Sequence, residues 1–375
     1  MEKNVTLTLT ANCNLSCVYC YEKHDDNKSM SFDTAKYILD SEFEGLKNDD
    51  YITIDFFGGE PFLEFELIKK IVSYVREQNI KGRFLPRYRF FATTNGTLIH
   101  GEIMNFLKAH KNFYLGLSLD GTKWMHDTNR CNSFDKIDLD FFVKTYPEQQ
   151  AKMTISDFTL PYLADGIIFA HNKNFKVACN LAYGIDWKNP KYKKLLIEQL
   201  EKLSEFYLDN PSIERTTILS RKISSIGYLH EQPKRIARKW CGTGTAMRTY
   251  DTDGKRYPCQ FFMPMSCGKE KSSKAWEIDF KDEIPIEHLD KKCQHCILQD
   301  CCPTCYGSNY SATGDIYCKD PNLCELEKII FYANAWLSIQ LWGRGQLKDL
   351  TDDELSATIF AAKKIIESFE SEINI

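Results

Sequence analysis

Six short apolar runs alternate with longer amphipathic stretches over the first half of the chain, and this rhythm limits the folds open to it more than any other feature. The strand candidates are Val5–Thr10, Tyr51–Phe57, Tyr88–Thr93, Tyr114–Leu119, Lys152–Ile155 and Val177–Leu181, with helical periods at Ser31–Glu44, Leu63–Gln78 and Gly101–Lys111 among them. Repeated βα units build a parallel sheet, because each crossover returns the next strand in the same direction. Six units are enough for an open barrel, whose site would lie at the C-terminal ends of the strands. The segments with chemical promise fall at those ends. Cys13, Cys17 and Cys20 follow the first strand, Gly58-Gly59-Glu60-Pro61 the second and Thr94-Asn95-Gly96 the third, while Ser118-Leu119-Asp120-Gly121 ends the fourth.

In the run Ala11-Asn12-Cys13-Asn14-Leu15-Ser16-Cys17-Val18-Tyr19-Cys20-Tyr21, three thiolates can converge on one point from a single loop. A cubane iron cluster takes four ligands, so three cysteines leave one iron open to something that is not protein. The competing reading is a zinc site, but zinc ribbons pair two CxxC knuckles and no second knuckle lies nearby. Fifteen cysteines would suit a disulfide scaffold in a short secreted chain, whereas 375 residues with no signal-like segment suit reduced, metal-holding thiolates. Their distribution agrees: three lie near the N-terminus, ten lie between Cys241 and Cys324, and only Cys131 and Cys179 are isolated, as ordinary thiols.

With 43% apolar and 13% aromatic residues, the chain can build one large domain and a smaller one. A net charge of −4 argues against a nucleic-acid partner, and no apolar run reaches membrane-spanning length. A cytoplasmic protein with no membrane partner is expected.

The x3-x2 cysteine spacing, with Tyr19 just before the third cysteine, resembles the signature of the radical SAM enzymes. The resemblance implies a partial (β/α)6, TIM-like α/β barrel, with a 4Fe–4S cluster on Cys13, Cys17 and Cys20. It also implies S-adenosylmethionine chelated to the open iron, with Gly58, Gly59, Glu60 and Pro61 gripping the SAM amino group. On residue grounds alone, paired glycines let the backbone approach a ligand closely, and a carboxylate beside them suits a cationic amine. Ser118-Leu119-Asp120-Gly121 followed by His126-Asp127-Thr128-Asn129-Arg130 looks like the fourth-strand motif of the branch that modifies peptides and proteins. By that likeness Ser118 and Asp120 lie near the SAM ribose. Arg130 forks onto the SAM carboxylate, which suits guanidinium geometry. Thr94 and Asn95 are further cofactor-binding candidates, and His126 and Asp127 read as local support.

After a Lys/Glu-rich helical stretch from Asn189 to Leu208 and a basic run from His230 to Lys239, the second cysteine group opens as Cys241-x12-Gly254-x4-Cys259. It continues through Cys267 to Cys293-x2-Cys296, Cys301, Cys302, Cys305, Cys318 and Cys324. This resembles the SPASM domain, a small cysteine-rich unit with a hairpin and helices that holds auxiliary clusters. Gly254 suits the hairpin turn between Cys241 and Cys259. The later half departs by one residue: Cys302 keeps the x5 spacing after Cys296, whereas Cys301 keeps the x3 spacing before Cys305, so the choice between them stays open. The family places Cys293, Cys296, the Cys301/Cys302 ligand and Cys324 on one cluster, and Cys241, Cys259 and Cys305 on the other. Cys267 and Cys318 are extra ligands or spare thiols.

The resemblance implies three 4Fe–4S clusters, one binding SAM and two auxiliary. The expected organisation is a core over 1–235, an auxiliary domain over 236–331 and a helical extension over 332–375, where Ile359, Ala362, Ile366 and Phe369 recur at helical spacing. Only four residues precede the first strand, so recognition of a leader is expected to use another surface or a separate protein. The expected activity is that of a peptide maturase. A reductant such as flavodoxin or ferredoxin delivers one electron, SAM yields a 5′-deoxyadenosyl radical, and a precursor peptide or protein loses a hydrogen. Pro303-Thr304-Cys305-Tyr306-Gly307 looks most like maturases of cysteine-rich peptides, which favours a thioether link from a cysteine sulfur. The alternatives are an anaerobic sulfatase-maturing enzyme making formylglycine, carbon–carbon crosslinking, and epimerisation. From other classes, a zinc protein or a ferredoxin-like electron carrier would need neither Gly58–Pro61 nor Ser118–Arg130.

Overall fold

The computed structural model describes residues 2–24, 27–228, 236–238 (backbone), 241–281, 283–302 and 304–373. The basic run 230–239 lies outside them apart from that backbone, as does Pro303. The strands are β1 (Glu2–Thr10), β2 (Tyr51–Gly58), β3 (Arg87–Thr94), β4 (Phe113–Leu117), β5 (Gln150–Ile155), β6 (Lys176–Leu181), β7 (Ile236–Arg238), β8 (Met247–Tyr250), β9 (Arg256–Tyr257) and β10 (Glu283–Pro285). The first six match the six apolar runs to within a few residues.

β1 to β4 pair in parallel in the order β4-β3-β2-β1, so their C-terminal ends share one rim. The next two strands pair as β5-β6, and a single bridge from Ser118 to Lys152 joins the end of β4 to β5. The sheet also grows from its other edge, which the βα rhythm does not foretell. β8 adds to β1 in parallel and turns back into antiparallel β9, giving β4-β3-β2-β1-β8-β9. The turn is the expected one, with Gly254 at φ 81° and its N–H donating to Asp251 O at 3.0 Å. A buried carboxylate recruits β8. Glu42, on the helix Phe32–Phe43, accepts from Lys3 Nζ (3.0 Å), Arg248 Nη1 (2.8 Å) and Tyr250 Oη, so the cations of β1 and β8 share one counter-charge.

The two faces of the parallel strands differ. Val5, Leu7 and Leu9 of β1, Ile52, Ile54 and Phe56 of β2, and Phe90 and Ala92 of β3 are fully buried among apolar helix residues such as Ile38, Ile68, Ile71 and Val72. Each buried Val, Leu, Ile or Phe among them contributes about 1.5–3 kcal/mol. The alternate positions carry Thr6, Thr53, Asp55, Arg89 and Thr93. That polar face is joined by Lys152 of β5, whose Nζ donates to Thr93 Oγ1 at 2.6 Å. Gly116 of β4 leaves the room: a Cβ there would stand 3.4 Å from Lys152 Cε and 3.3 Å from the Phe91 ring.

The chain forms two compact units, one of residues 1–119, 126–152 and 241–280, the other of residues 120–125, 153–240 and 281–375. Cys241, Cys259 and Cys267 fall in the first, and the cysteines from Cys293 to Cys324 in the second. In the second unit, the Lys/Glu-rich stretch forms the helix Pro190–Asp209, and the C-terminus forms Asp352–Ile373 against Pro321–Gly343. On Asp352–Ile373, Ile359, Ala362 and Phe369 are buried as their spacing requires, with Ile365 buried in place of the half-buried Ile366. The helix Pro321–Gly343 continues through position 331, so the expected boundary there marks the end of a resemblance and not of an element. Among the described residues, no helix is long and apolar enough to cross a membrane.

Candidate functional site

The three loops at the ends of β1, β2 and β3 are hydrogen-bonded into one body. Gly59 N–H donates to Thr10 O (3.2 Å) and Glu60 N–H to Asn12 O (2.9 Å), laying the glycine segment along the cysteine loop. A side chain on either glycine would break that contact. A Cβ at Gly58, where φ is 141°, would lie 2.2 Å from Thr10 O, and one at Gly59 would lie 2.3 Å from Asn12 O and 2.8 Å from Cys13 Cβ. The third loop is tied in by side chains: Asn95 Nδ2 donates to Asn14 Oδ1 (2.8 Å), and Asn14 Nδ2 donates to Thr97 Oγ1 (2.8 Å). Asn14 sits between Cys13 and Cys17, so this network fixes the loop that carries the thiols. Asn14 and Thr97 were not singled out from the sequence, since nothing in spacing marks an amide as a clamp.

Glu60 is held by the neighbouring loop. Its carboxylate is 1% exposed and accepts from Thr94 Oγ1 (2.9 Å), Asn95 N–H (2.8 Å) and Phe62 N–H (3.2 Å). It caps the short helix Pro61–Glu64 and joins the ends of β2 and β3. Burial pushes this carboxyl up to about 7 against the pull of those donors. Thr94 and Asn95 thus act first on Glu60.

Arg130 comes to the cysteine loop from the helix Lys123–Asn129. Val18 N–H donates to Asn129 O (3.0 Å), the guanidinium lies 5.4 Å over the Tyr19 ring, and Nη1 is 4.0 Å from Cys17 Sγ. His126 Nε2 meets Ser133 Oγ (3.0 Å), fully buried, and Asp127 Oδ1 accepts from Phe134 N–H (2.9 Å), the local support expected of both. Ser118 N–H donates to Thr94 O (2.9 Å), and fully buried Asp120 accepts from Thr154 N–H (2.9 Å).

Two features of the first loop fit a bound cluster and its ligand. Cys20 Sγ meets His24 Nε2 at 3.5 Å, and burial pushes the Cys13 and Cys20 thiols up, a shift that a bound cluster's positive charge would reverse. Beside them Glu22 has a buried Oε1 with no hydrogen-bond partner, and burial pushes that carboxyl up to about 8. The loop is backed by the same unit's C-terminal segment, where Tyr21 stacks on Phe261 at 4.6 Å and Lys23 N–H donates to Met265 O (2.8 Å).

The other cysteines sort by what they face. Cys293 lies beside Cys302 and Cys324, and Cys302 and Cys324 each lie beside Cys296; burial, then Cys302, pushes the Cys293 thiol up to about 11. Cys301, 2% exposed, turns to Leu298 O (3.5 Å). Cys305 caps the helix Tyr306–Thr313 by accepting from Ser308 N–H (3.5 Å). Cys318 donates to Asp290 Oδ2 (3.4 Å), Cys267 to Met263 O (3.5 Å), and Cys241 meets Thr243 Oγ1 (2.9 Å), while Cys259 is buried. Among the described residues, no group of three or more His, Cys, Asp or Glu stands close enough to hold a single metal ion. A cubane spreads its thiolates over its corners, farther apart than the ligands of one ion.

Residues 7–136 match the radical SAM superfamily. The chain is 27% identical over 285 residues to a cysteine-type anaerobic sulfatase-maturating enzyme of Clostridium perfringens, covering 68% of this chain and 73% of that one. It is 23% identical over 366 residues to a radical SAM cyclopropyl synthase of Paramaledivibacter caminithermalis, covering 88% and 73%. Its fold is like that of a solved structure, native anSMEcpe with bound AdoMet and Cp18Cys peptide, at TM-score 0.68 and 20% identity over 97% of this chain and 100% of that one. The parallel-stranded core whose cysteine loop is zipped to a paired-glycine loop falls within the stretch 7–136, which is a radical SAM domain.

Proposed function

We propose that this enzyme modifies a ribosomally made peptide or protein, and that its product is a thioether between a cysteine sulfur and a carbon of the same substrate. The observation that carries the reading is the joined body of three loops at the strand ends, where thiols, paired glycines and a guanidinium meet. In this reading Cys13, Cys17 and Cys20 hold a 4Fe–4S cluster, the backbone of Gly58–Pro61 receives the SAM amino group, Arg130 receives its carboxylate, and Ser118 and Asp120 lie near its ribose. Residues 1–235 form the core, and 236–331, a SPASM-like domain, hold two auxiliary clusters, with 332–375 as a helical extension. When bound, these groups supply a carbon radical that takes a hydrogen atom from the substrate and an acceptor for the electron released on bond formation. Flavodoxin or ferredoxin is the reductant, and the site of action is the cytoplasm.

The sulfatase-maturase likeness supports a second reading, oxidation of a protein cysteine to formylglycine. One experiment separates the two. The gene is co-expressed with a short cysteine-rich reading frame lying beside it, and in parallel the purified enzyme is given a cysteine-containing sulfatase peptide. Loss of two hydrogens with sulfur retained in the first substrate supports the thioether. Loss of sulfur from the second supports formylglycine, and unchanged mass with solvent deuterium incorporated would refute both in favour of epimerisation.

A further inference from the structure

The second unit holds a lysine that no cysteine spacing foretells. Lys319 follows Cys318 and precedes Asp320, and its Nζ lies 2.6 Å from Cys302 Sγ, with Cys324 and Glu327 the other negative groups beside it. The backbone that follows it is held in place. Asp320, 6% exposed, caps the helix Pro321–Gly343 by accepting from Asn322 N–H (2.9 Å), which places Lys319 one turn ahead of Cys324. Asp320 N–H in turn donates to Asn309 Oδ1 (3.3 Å), and Asn309, 2% exposed, reaches Ile316 O (2.9 Å) and Thr304 Oγ1 (2.6 Å) through Nδ2. These contacts hold the backbone that follows Lys319, and the ammonium itself ends at the Cys302 sulfur.

The same geometry bears on the ambiguous cysteine pair. Both sulfurs lie near Cys296, but Cys302 Sγ meets the Lys319 ammonium at 2.6 Å, whereas Cys301 Sγ turns to Leu298 O at 3.5 Å. A thiolate ligand keeps lone pairs that can accept hydrogen bonds. Such bonds, and positive charge close to the sulfurs, raise the reduction potential of an iron–sulfur cluster by stabilising the extra electron.

We propose that Lys319 is a positioning residue whose ammonium donates to the Cys302 thiolate of a 4Fe–4S cluster on Cys293, Cys296, Cys302 and Cys324, and raises that cluster's potential, with Cys301 outside the ligand set. This rests on the reading that these cysteines hold a cluster. Where held by these residues, such a cluster would be a better acceptor for the one electron released when the substrate's C–S bond forms, its S–H bond breaks and the proton passes to water.

The test is redox potentiometry followed by EPR on the full chain carrying Cys13→Ala, Cys17→Ala and Cys20→Ala, so that only auxiliary signals remain, with iron counted in every sample. Lys319→Met is expected to keep its iron and move one midpoint to a more negative value by at least 59 mV, a tenfold change in a one-electron equilibrium. Lys319→Arg, which retains the charge, is expected to hold the midpoint near the parent's. Cys301→Ala keeps full iron, whereas Cys302→Ala loses about four irons per chain. An unchanged midpoint in Lys319→Met at full iron would overturn the proposal. So would iron loss in the methionine and arginine variants alike, which marks a packing role, or iron lost from Cys301→Ala but not from Cys302→Ala. Absence of any iron in the unsubstituted auxiliary sites would instead defeat the cluster reading itself, and is visible before any Lys319 variant is compared.

Discussion

Gly59→Ala offers a direct test of the idea that the glycine loop and the cysteine loop work as one body. Gly59 does not have a positive φ, so alanine is not opposed by the backbone conformation and the effect isolates close approach. The added Cβ would stand 2.3 Å from Asn12 O, 2.6 Å from Asn12 C and 2.8 Å from Cys13 Cβ. Non-bonded atoms rest about 3.5 Å apart, so the loops must separate by about 1 Å. The obstacles are backbone atoms and a Cβ, which cannot rotate away. Overpacking of this kind costs about 1–3 kcal/mol, and stretching the Gly59–Thr10 and Glu60–Asn12 hydrogen bonds adds about 1 kcal/mol for each. The total is a large share of the roughly 5–15 kcal/mol that holds a typical domain together. The assay is urea unfolding of the apo protein, with iron per chain and SAM binding after anaerobic reconstitution. We expect a lower midpoint, about four fewer irons and no measurable SAM binding. Gly343→Ala, with open space around the added methyl, serves as the control and should change stability by no more than about 1 kcal/mol. A Gly59→Ala protein with the parent's stability, iron and SAM affinity would refute the reasoning.

Other consequences can be checked more briefly. Burial pushes the Asp55 carboxyl up to about 6, so its protonated form suits the fold: stability is full below pH 4 and falls as the pH rises through 6, by at most about 3 kcal/mol and less after solvent screening. Asp55→Asn should abolish that decline in urea midpoints taken from pH 4 to 7, and an identical decline in the variant would sink the assignment. Cys179 is buried, and burial pushes its thiol up to about 12, whereas Cys131 is exposed; iodoacetamide at pH 8 followed by peptide mass spectrometry should label Cys131 and spare Cys179. Ser31 Oγ accepts from Thr34 N–H (3.0 Å) at the start of Phe32–Phe43, so Ser31→Ala should cost about 1 kcal/mol in the same unfolding assay, and no loss would show that the cap is idle.

What the sequence made legible was set by local periodicity. Alternating residues placed β1 to β6 and, through strand direction, put Cys13, Gly58, Thr94 and Ser118 at the ends where a parallel sheet builds its sites. Gly254 was readable as a turn because its neighbours require a positive φ there. The rest depended on pairings between residues far apart in the chain. β8 joins β1 through Glu42 with Lys3, Arg248 and Tyr250, separations of up to 208 residues that no window of sequence contains. Glu60 is held by Thr94 and Asn95, partners 34 and 35 residues away that no local window contains. Asn14 and Lys319 carry no spacing signal at all, since an amide clamp or an aimed ammonium is defined by its partner. The choice between Cys301 and Cys302 is open in the sequence for a related reason, as spacing counts residues and does not give the direction of a Cα–Cβ bond.

The measurement closest to the centre of the account is iron per chain in anaerobically reconstituted protein. Three 4Fe–4S clusters predict about twelve irons and no zinc. About four irons with zinc filling the remaining cysteines would leave the radical SAM core in place but contradict the auxiliary clusters, and with them the electron acceptor on which the proposed bond-forming reaction depends.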